Sequence, residues 1–194
     1  MATEALRESL LVFSDVHLGS DLNDAGNTVP RSKAIDDDLA AMLAHYRKAP
    51  PAAGADRWRV IAAGDFIDFI GISIDPRDED HEHLKTELTR AEREFGLGGA
   101  EDHVLLKLRR AVERHPNVFE ELGAFIAGGH ALTVIHGNHD LELHWPNVQA
   151  AFCEHLARLA KSDVAIIAAR VEFCPWFFHR DGLVFIEHGH QYDP

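Results

Sequence analysis

Residues 58–68 read WRVIAAGDFID, in which the apolar run Trp58–Ala63 has the length of a strand and is followed by a Gly-Asp turn. The run is too short for a helix and is rich in branched side chains. Two further runs share this character, at residues 10–13 (LLVF) and 131–135 (ALTVI). Their near-continuous apolarity predicts strands buried on both faces, as in a parallel sheet covered by helical crossovers. The pattern therefore predicts an α/β fold.

Helical periodicity fills the gaps between these runs, and the end of the chain is again β-like. The predicted helices are Lys33–Lys48, Leu84–Phe95, Glu101–His115, Asn117–Ala127 and Pro146–Lys161. The predicted late strands are Val171–Phe173, Trp176–His179 and Leu183–Ile186, the last following an Asp-Gly turn. We expect one domain over residues 1–194 with a helical insert at about 75–115, which opens on the acidic stretch Asp75–His83.

The charge and the cysteine content narrow the class of protein. Nineteen Lys and Arg residues against 32 Asp and Glu residues give a net charge of −13, which repels phosphate backbones and argues against binding to long nucleic acid. The N-terminus lacks the pattern of a signal peptide, and apolar runs stay far below the ~20 residues of a membrane span. We therefore predict a cytoplasmic protein without a membrane segment, with Cys153 and Cys174 as reduced thiols.

Four of the β-like runs are followed directly by polar segments whose side chains could bind a ligand or catalyse a reaction. They are Ser14–His17, Gly64–Asp68, Gly137–Asp140 and Glu187–His190. In open α/β sheets, ligands bind beyond the carboxyl ends of the strands. Four segments that are distant in sequence are thus predicted to converge on one site.

The side chains in these segments suit metal ions. Asp15 and His17 are two residues apart, so in an extended segment both would point to one face and could hold one ion. Asp65 lies in a Gly-preceded turn, where a carboxylate could bridge two ions, while Asn138 and His188 offer an amide oxygen and an imidazole. This thiolate-free set favours Mn²⁺, Fe or Zn²⁺. Two such ions ~3.5–4 Å apart can hold a phosphate and activate a water.

Taken in chain order, these residues resemble a known family. Asp15-Val16-His17, Gly64–Asp68, Gly137–Asp140 and His188 resemble the first four motifs of the calcineurin-like metallophosphoesterase superfamily. The resemblance implies a two-sheet sandwich flanked by helices (αββα). It also implies a centre of two divalent metal ions that hydrolyses phosphomonoester, phosphodiester or pyrophosphate bonds.

The resemblance assigns a role to each matched residue. Asp15 and His17 would bind the first ion, Asp65 would bridge both ions, and Asn138 and His188 would bind the second.

Two further matched residues would act in catalysis. His139 matches the histidine that contacts the substrate and protonates the leaving oxygen, and Asp68 matches the acid that orients it. A histidine held by a carboxylate is also a suitable acid near neutral pH on general grounds. Asp140 has two readings, as a residue that supports the ligands or as a cap of the following helix.

The family's fifth motif, Gly-His-x-His, is not matched. Gly189–Tyr192 has Tyr192 where the second histidine would stand, and the sequence ends at Pro194. We therefore expect the chain to be the N-terminal portion of a longer protein, truncated at its C-terminus, with His190 as a possible compensating ligand.

The remaining aromatic and imidazole side chains receive structural interpretations. Trp145, Trp176, Phe177 and Phe178 are expected in the core or facing a sheet, and His81, His83, His103 and His115 are expected in solvent.

Two other classes of function stay open. One is a non-catalytic metal-binding or scaffold module that keeps the fold, which turnover of a chromogenic phosphodiester with Mn²⁺ would distinguish. The other is a nuclease, which should carry a basic track that this acidic sequence lacks.

Overall fold

The computed structural model describes residues 7–23, 29–77 and 84–192. Its strands are β1 (Glu8–Phe13), β2 (Arg57–Ala63), β3 (Ala131–Ile135), β4 (Val171–Cys174), β5 (Phe177–Arg180) and β6 (Val184–Glu187). Its α-helices are α1 (Val29–Tyr46), α2 (Arg90–Phe95), α3 (Glu101–Arg114), α4 (Pro116–Ala127), α5 (Pro146–Ala160) and α6 (Val164–Ala168). Short 3₁₀ turns cover Leu141–His144 and His190–Tyr192.

The first four strands form a parallel sheet in the order β1-β2-β3-β4, and β5 and β6 form a separate antiparallel hairpin. The predicted α/β class is therefore confirmed. Because the four strands lie side by side in chain order, crossovers of one hand leave their helices on one face of the sheet.

The helical face of the parallel sheet forms the larger core. Val60 and Ala62 of β2, with Leu132 and Val134 of β3, are almost fully buried there. The core side chains that the helices contribute include Leu43, Val104, Leu108, Leu122, Phe125, Phe152 and Leu156. The residues between these on the strands face the opposite side, as strand geometry requires.

The opposite face packs against the hairpin in a second, smaller core. Ile61, Ala63 and Ile135 of the sheet meet Phe178 and Ile186 of the hairpin. The hairpin thus covers the sheet face that the helices leave open.

A buried carboxylate ties the hairpin to the sheet at the start of the strands. The Glu8 side chain is 2% exposed and pairs with Arg57 of β2, Arg59 of β2 and Arg180 of β5. The guanidinium carbons of Arg59 and Arg180 also lie 5.9 and 5.5 Å from the ring centre of Phe178. Burial alone would raise the pKa of Glu8, but the arginine hydrogen bonds outweigh burial and lower it from 4.5 to about 2.

We expect Glu8→Gln to lower the free energy of unfolding by roughly 3 kcal/mol at pH 7, the equivalent of this pKa shift. A lowered pKa stabilises the fold above the ordinary glutamate pKa, and the stabilisation disappears as the pH falls toward about 2. The difference between variant and wild type should therefore narrow between pH 5 and pH 2 in urea titrations. Glu120→Gln, at an exposed position, is the matched control. A pH-independent difference would contradict the charge assignment.

One predicted helix, Leu84–Phe95, is wrong over its first half, because the helix begins at Arg90. The Asp102 carboxylate accepts hydrogen bonds from the amide and the hydroxyl of Thr86 at 2.9 and 2.8 Å, which holds this segment outside a helix. Thr89 then caps the helix with its side chain.

Several predictions of burial are also corrected. His103 and His115 are 0% and 2% exposed, so the expectation of solvation is wrong for both. His81 and His83 lie outside the described residues, as does the acidic stretch from residue 78 onward. Trp176 and Phe177 are exposed, contrary to the prediction, whereas Phe178 is buried in the smaller core.

Cys153 and Cys174 are both free in the described structure, as predicted, and burial raises the pKa of each thiol to about 11. Within residues 7–23, 29–77 and 84–192, none of the helices combines the length and the apolarity needed to cross a bilayer.

Candidate metal centre

The loops that follow β1 and β2 run side by side beyond the sheet. The His17 amide donates to the Asp65 carbonyl at 2.9 Å, and the Leu18 amide donates to the Phe66 carbonyl at 3.0 Å. The Asp68 amide donates back to the Leu18 carbonyl at 2.9 Å. This pairing brings two of the predicted segments together at the carboxyl edge of the sheet.

Three residues of the site have left-handed backbone conformations. The φ angles are 56° at Asp15, 52° at His17 and 54° at Asp65. Such angles cost on the order of 1–3 kcal/mol in residues other than glycine and concentrate at functional sites. The expectation that Asp15 and His17 share one face of an extended segment is therefore wrong.

Asp65 lies at the centre of the site and is 3% exposed. Its Oδ2 atom is 3.7 Å from His17 Nε2 and 3.3 Å from His188 Nε2, while its Oδ1 accepts the His139 amide at 2.9 Å. A Cβ atom at Gly137 would stand 2.0 Å from Oδ1, so this loop approaches Asp65 as closely as only glycine permits.

His188 is oriented by the end of β2. Its Nδ1 lies 3.0 Å from the Ala63 carbonyl and therefore carries the proton that this bond requires. Its Nε2 then faces two oxygens, Asn138 Oδ1 and Asp65 Oδ2, each at 3.3 Å. His188 Nε2, Asn138 Oδ1 and Asp65 Oδ2 therefore converge on one point, where they could serve as ligands of a cation. This is the orientation that metal-binding histidines adopt.

The potential ligand atoms form two clusters. One contains Asp15, Asp65 and His188, and the other contains His17, Asp68 and His139; the atoms of each lie within 4.8 Å of one another. Asp15 and His17 thus fall in different clusters, not in one pair. The clusters meet at Asp65, whose carboxylate faces both His17 and His188.

Within the second cluster, His139 and Asp68 are hydrogen-bonded to each other. Its Nδ1 is 2.8 Å from Asp68 Oδ1, and about a third of its side chain is exposed. The hydrogen bond to Asp68 raises the pKa of His139 above its ordinary value, although burial opposes the shift. The shift favours the imidazolium form more than in an unperturbed histidine, which suits a general acid.

Asp140 supports the site from inside the protein. It is 0% exposed, and its two oxygens accept the amides of Gly137 at 2.6 Å and Phe66 at 2.8 Å. Burial raises the pKa of its carboxyl group. The supporting role among its two predicted readings agrees with these contacts, which join the loops after β2 and β3.

The histidines His144, His179 and His190 join neither cluster. The His190 ring is 5.4 Å from the His188 ring, and its Nδ1 is buried without a hydrogen-bond partner among the described residues. His144 bonds the Leu141 carbonyl, and His179 lies near Asp181 on the hairpin. The predicted compensating role of His190 stays a prediction.

Sequence reasoning missed one charged residue beside the site, Lys107 of α3. It is 5% exposed, and its Nζ donates to the Phe69 carbonyl at 2.9 Å. A signal was present, because Lys107 shares the buried stripe of Val104, Leu108 and Ala111.

No protein-family model matches this chain, and neither a curated protein nor a solved structure matches it.

Proposed function

We propose that the chain is a metallophosphoesterase that hydrolyses phosphate esters or anhydrides through two divalent cations. The observation that carries this proposal is the buried Asp65 carboxylate, which faces imidazole nitrogens of two ligand clusters. The His139–Asp68 pair lies directly beside it. A dinuclear site next to a positioned acid is the arrangement that phosphoester hydrolysis needs.

The donor set fits the cations. Asp15, His17, Asp65, Asn138 and His188 offer carboxylate, amide and imidazole atoms without a thiolate, which suits Mn²⁺ first and Fe or Zn²⁺ as alternatives. The convergence of His188 Nε2, Asn138 Oδ1 and Asp65 Oδ2 on one point supports a cation there. When bound, two such cations neutralise the phosphate and lower the pKa of a water.

The chain's own residues supply orientation and a proton. Asp65 lies between the two clusters, with its Oδ2 atom 3.7 Å from His17 Nε2 and 3.3 Å from His188 Nε2, and the Ala63 carbonyl orients the ring of His188. Asp68 accepts the Nδ1 proton of His139, which leaves the Nε2–H edge of the imidazolium to protonate the leaving oxygen.

The charge of the chain bears on the class of substrate. A net charge of −13 disfavours long nucleic acids and favours small phosphomonoesters, phosphodiesters or pyrophosphates, for which local cations suffice. The helices on one sheet face and the hairpin on the other support a place in the calcineurin-like two-sheet sandwich.

The proposal is tested by hydrolysis of bis(p-nitrophenyl) phosphate, p-nitrophenyl phosphate and a dinucleoside pyrophosphate with Mn²⁺. We expect turnover of at least one substrate that EDTA abolishes and Mn²⁺ restores. Metal binding without turnover of any substrate would overturn the proposal and leave the non-catalytic module as the function.

A further inference from the structure

Lys107 connects helix α3 to the loop that carries Asp68. Its ammonium group is buried and donates to the Phe69 carbonyl at 2.9 Å. The same Phe69 residue donates its amide to the His139 carbonyl at 3.0 Å. The peptide units on both sides of Phe69 thus link Lys107 to the backbone of His139.

Asp68 has its own place in this arrangement. Its Oδ1 atom accepts the Gly71 amide at 2.7 Å as well as the His139 ring at 2.8 Å. The carbonyl that Lys107 holds lies inside this Asp68–Gly71 turn. A displaced Phe69 carbonyl would therefore shift the turn and the carboxylate that orients His139.

The charges around Lys107 explain why an ammonium group can be buried there. Burial lowers the pKa of Lys107 from its ordinary value, while the carboxylates of Glu142, Asp68 and Glu92 oppose that shift. A buried cation facing several carboxylates compensates their charge, and its removal would leave an anionic excess beside the His139–Asp68 pair.

We propose that Lys107 is a positioning residue that holds the Phe69 carbonyl and thereby sets the geometry of the His139–Asp68 pair. This inference rests on the proposed phosphohydrolase function. Lys107 acts through the Asp68–Gly71 turn and does not touch the substrate. It gives helix α3 a part in catalysis, because the only polar atom of the Lys107 side chain reaches the turn that carries Asp68.

The test compares Lys107→Met, Lys107→Arg and wild type on two phosphodiesters, one with a nitrophenolate and one with an alkoxide leaving group. A misplaced acid matters for the alkoxide, so kcat for Lys107→Met should fall roughly 10²-fold on that ester. It should fall only a few-fold on the nitrophenyl ester, with metal content unchanged. Lys107→Arg keeps the charge and the donor and should recover most of the activity.

The controls separate this inference from the function on which it rests. Lys48→Met, at an exposed position, should behave like wild type on both esters. Equal losses on both esters, or no loss, would overturn the positioning role. If Lys107→Met does not fold, Lys107→Gln takes its place, with the same expected loss on the alkoxide ester and the same contradicting outcomes.

A further readout does not depend on turnover. Hydrogen exchange at the Gly71 amide should accelerate in Lys107→Met and stay unchanged in Lys48→Met. If the wild-type chain shows no turnover, the proposed function is contradicted, and so is the catalytic part of this inference. Unchanged exchange at Gly71 in an active enzyme would overturn the inference alone.

Discussion

We expect the Asp65→Asn variant to lose both cations and not just one. The neutral amide bridges two cations poorly, and Asp65 is the residue that faces imidazoles of both clusters. Affinity for each cation should fall by at least the ~10²-fold that loss of an outer-shell partner can cost. Metal analysis of the purified variant should show two equivalents lost relative to wild type, and turnover should fall with them.

Asp181→Asn is the matched control for this change, because Asp181 is fully exposed in the hairpin turn. That variant should keep its metal content. Loss of a single equivalent in Asp65→Asn would show that Asp65 serves one cation and would contradict the bridging role.

Replacing His139 by Ala should leave the metal content nearly intact while lowering turnover of alkyl phosphodiesters by roughly 10²–10⁴-fold. His139 is hydrogen-bonded to Asp68, and in the proposed mechanism this bond orients it as the acid. The loss should shrink for nitrophenyl esters, because nitrophenolate leaves without a proton. Steady-state kinetics on an ester series with increasing leaving-group pKa measures this difference.

His45→Ala, on the exposed surface of α1, is the control and should follow wild type across the series. A constant loss across all leaving groups would identify His139 as a phosphate-binding residue instead. Loss of a cation in His139→Ala would place it among the metal ligands.

The strands of this fold could be predicted from sequence because their burial leaves a strong local pattern. The run at residues 131–135 matches β3 without a shift, and residues 58–63 miss only the first residue of β2. The segment 84–89 could not be predicted, because its conformation depends on hydrogen bonds to Asp102, which is distant in sequence. The short helix α6 could not be predicted for a different reason: its five residues are all apolar and therefore show no helical periodicity.

The composition of the candidate site was predictable and its internal pairing was not. Segments that follow the parallel strands β1, β2 and β3 must meet at one edge, so Asp15, Asp65 and Asn138 come together as expected. His188 also reaches the site, but it follows β6 of the antiparallel hairpin, to which this rule does not apply. Which cluster Asp15 or His17 enters depends on left-handed φ angles that no residue type signals. The contact of Lys107 with Phe69 depends on how α3 packs, which a local pattern does not encode.

The proposed ligand His188 directly follows β6 of the hairpin, whereas Asp65 and Asn138 lie in loops that follow strands of the parallel sheet. A cation shared between them makes docking of the hairpin and metal binding one linked equilibrium, in which each raises the affinity of the other. At a free metal concentration of about 100 times Kd, metal binding would stabilise the docked hairpin relative to the undocked one by about 2.7 kcal/mol. Linkage is reciprocal, so loosening Arg180 from Glu8 at the far end of the hairpin would weaken metal affinity at His188.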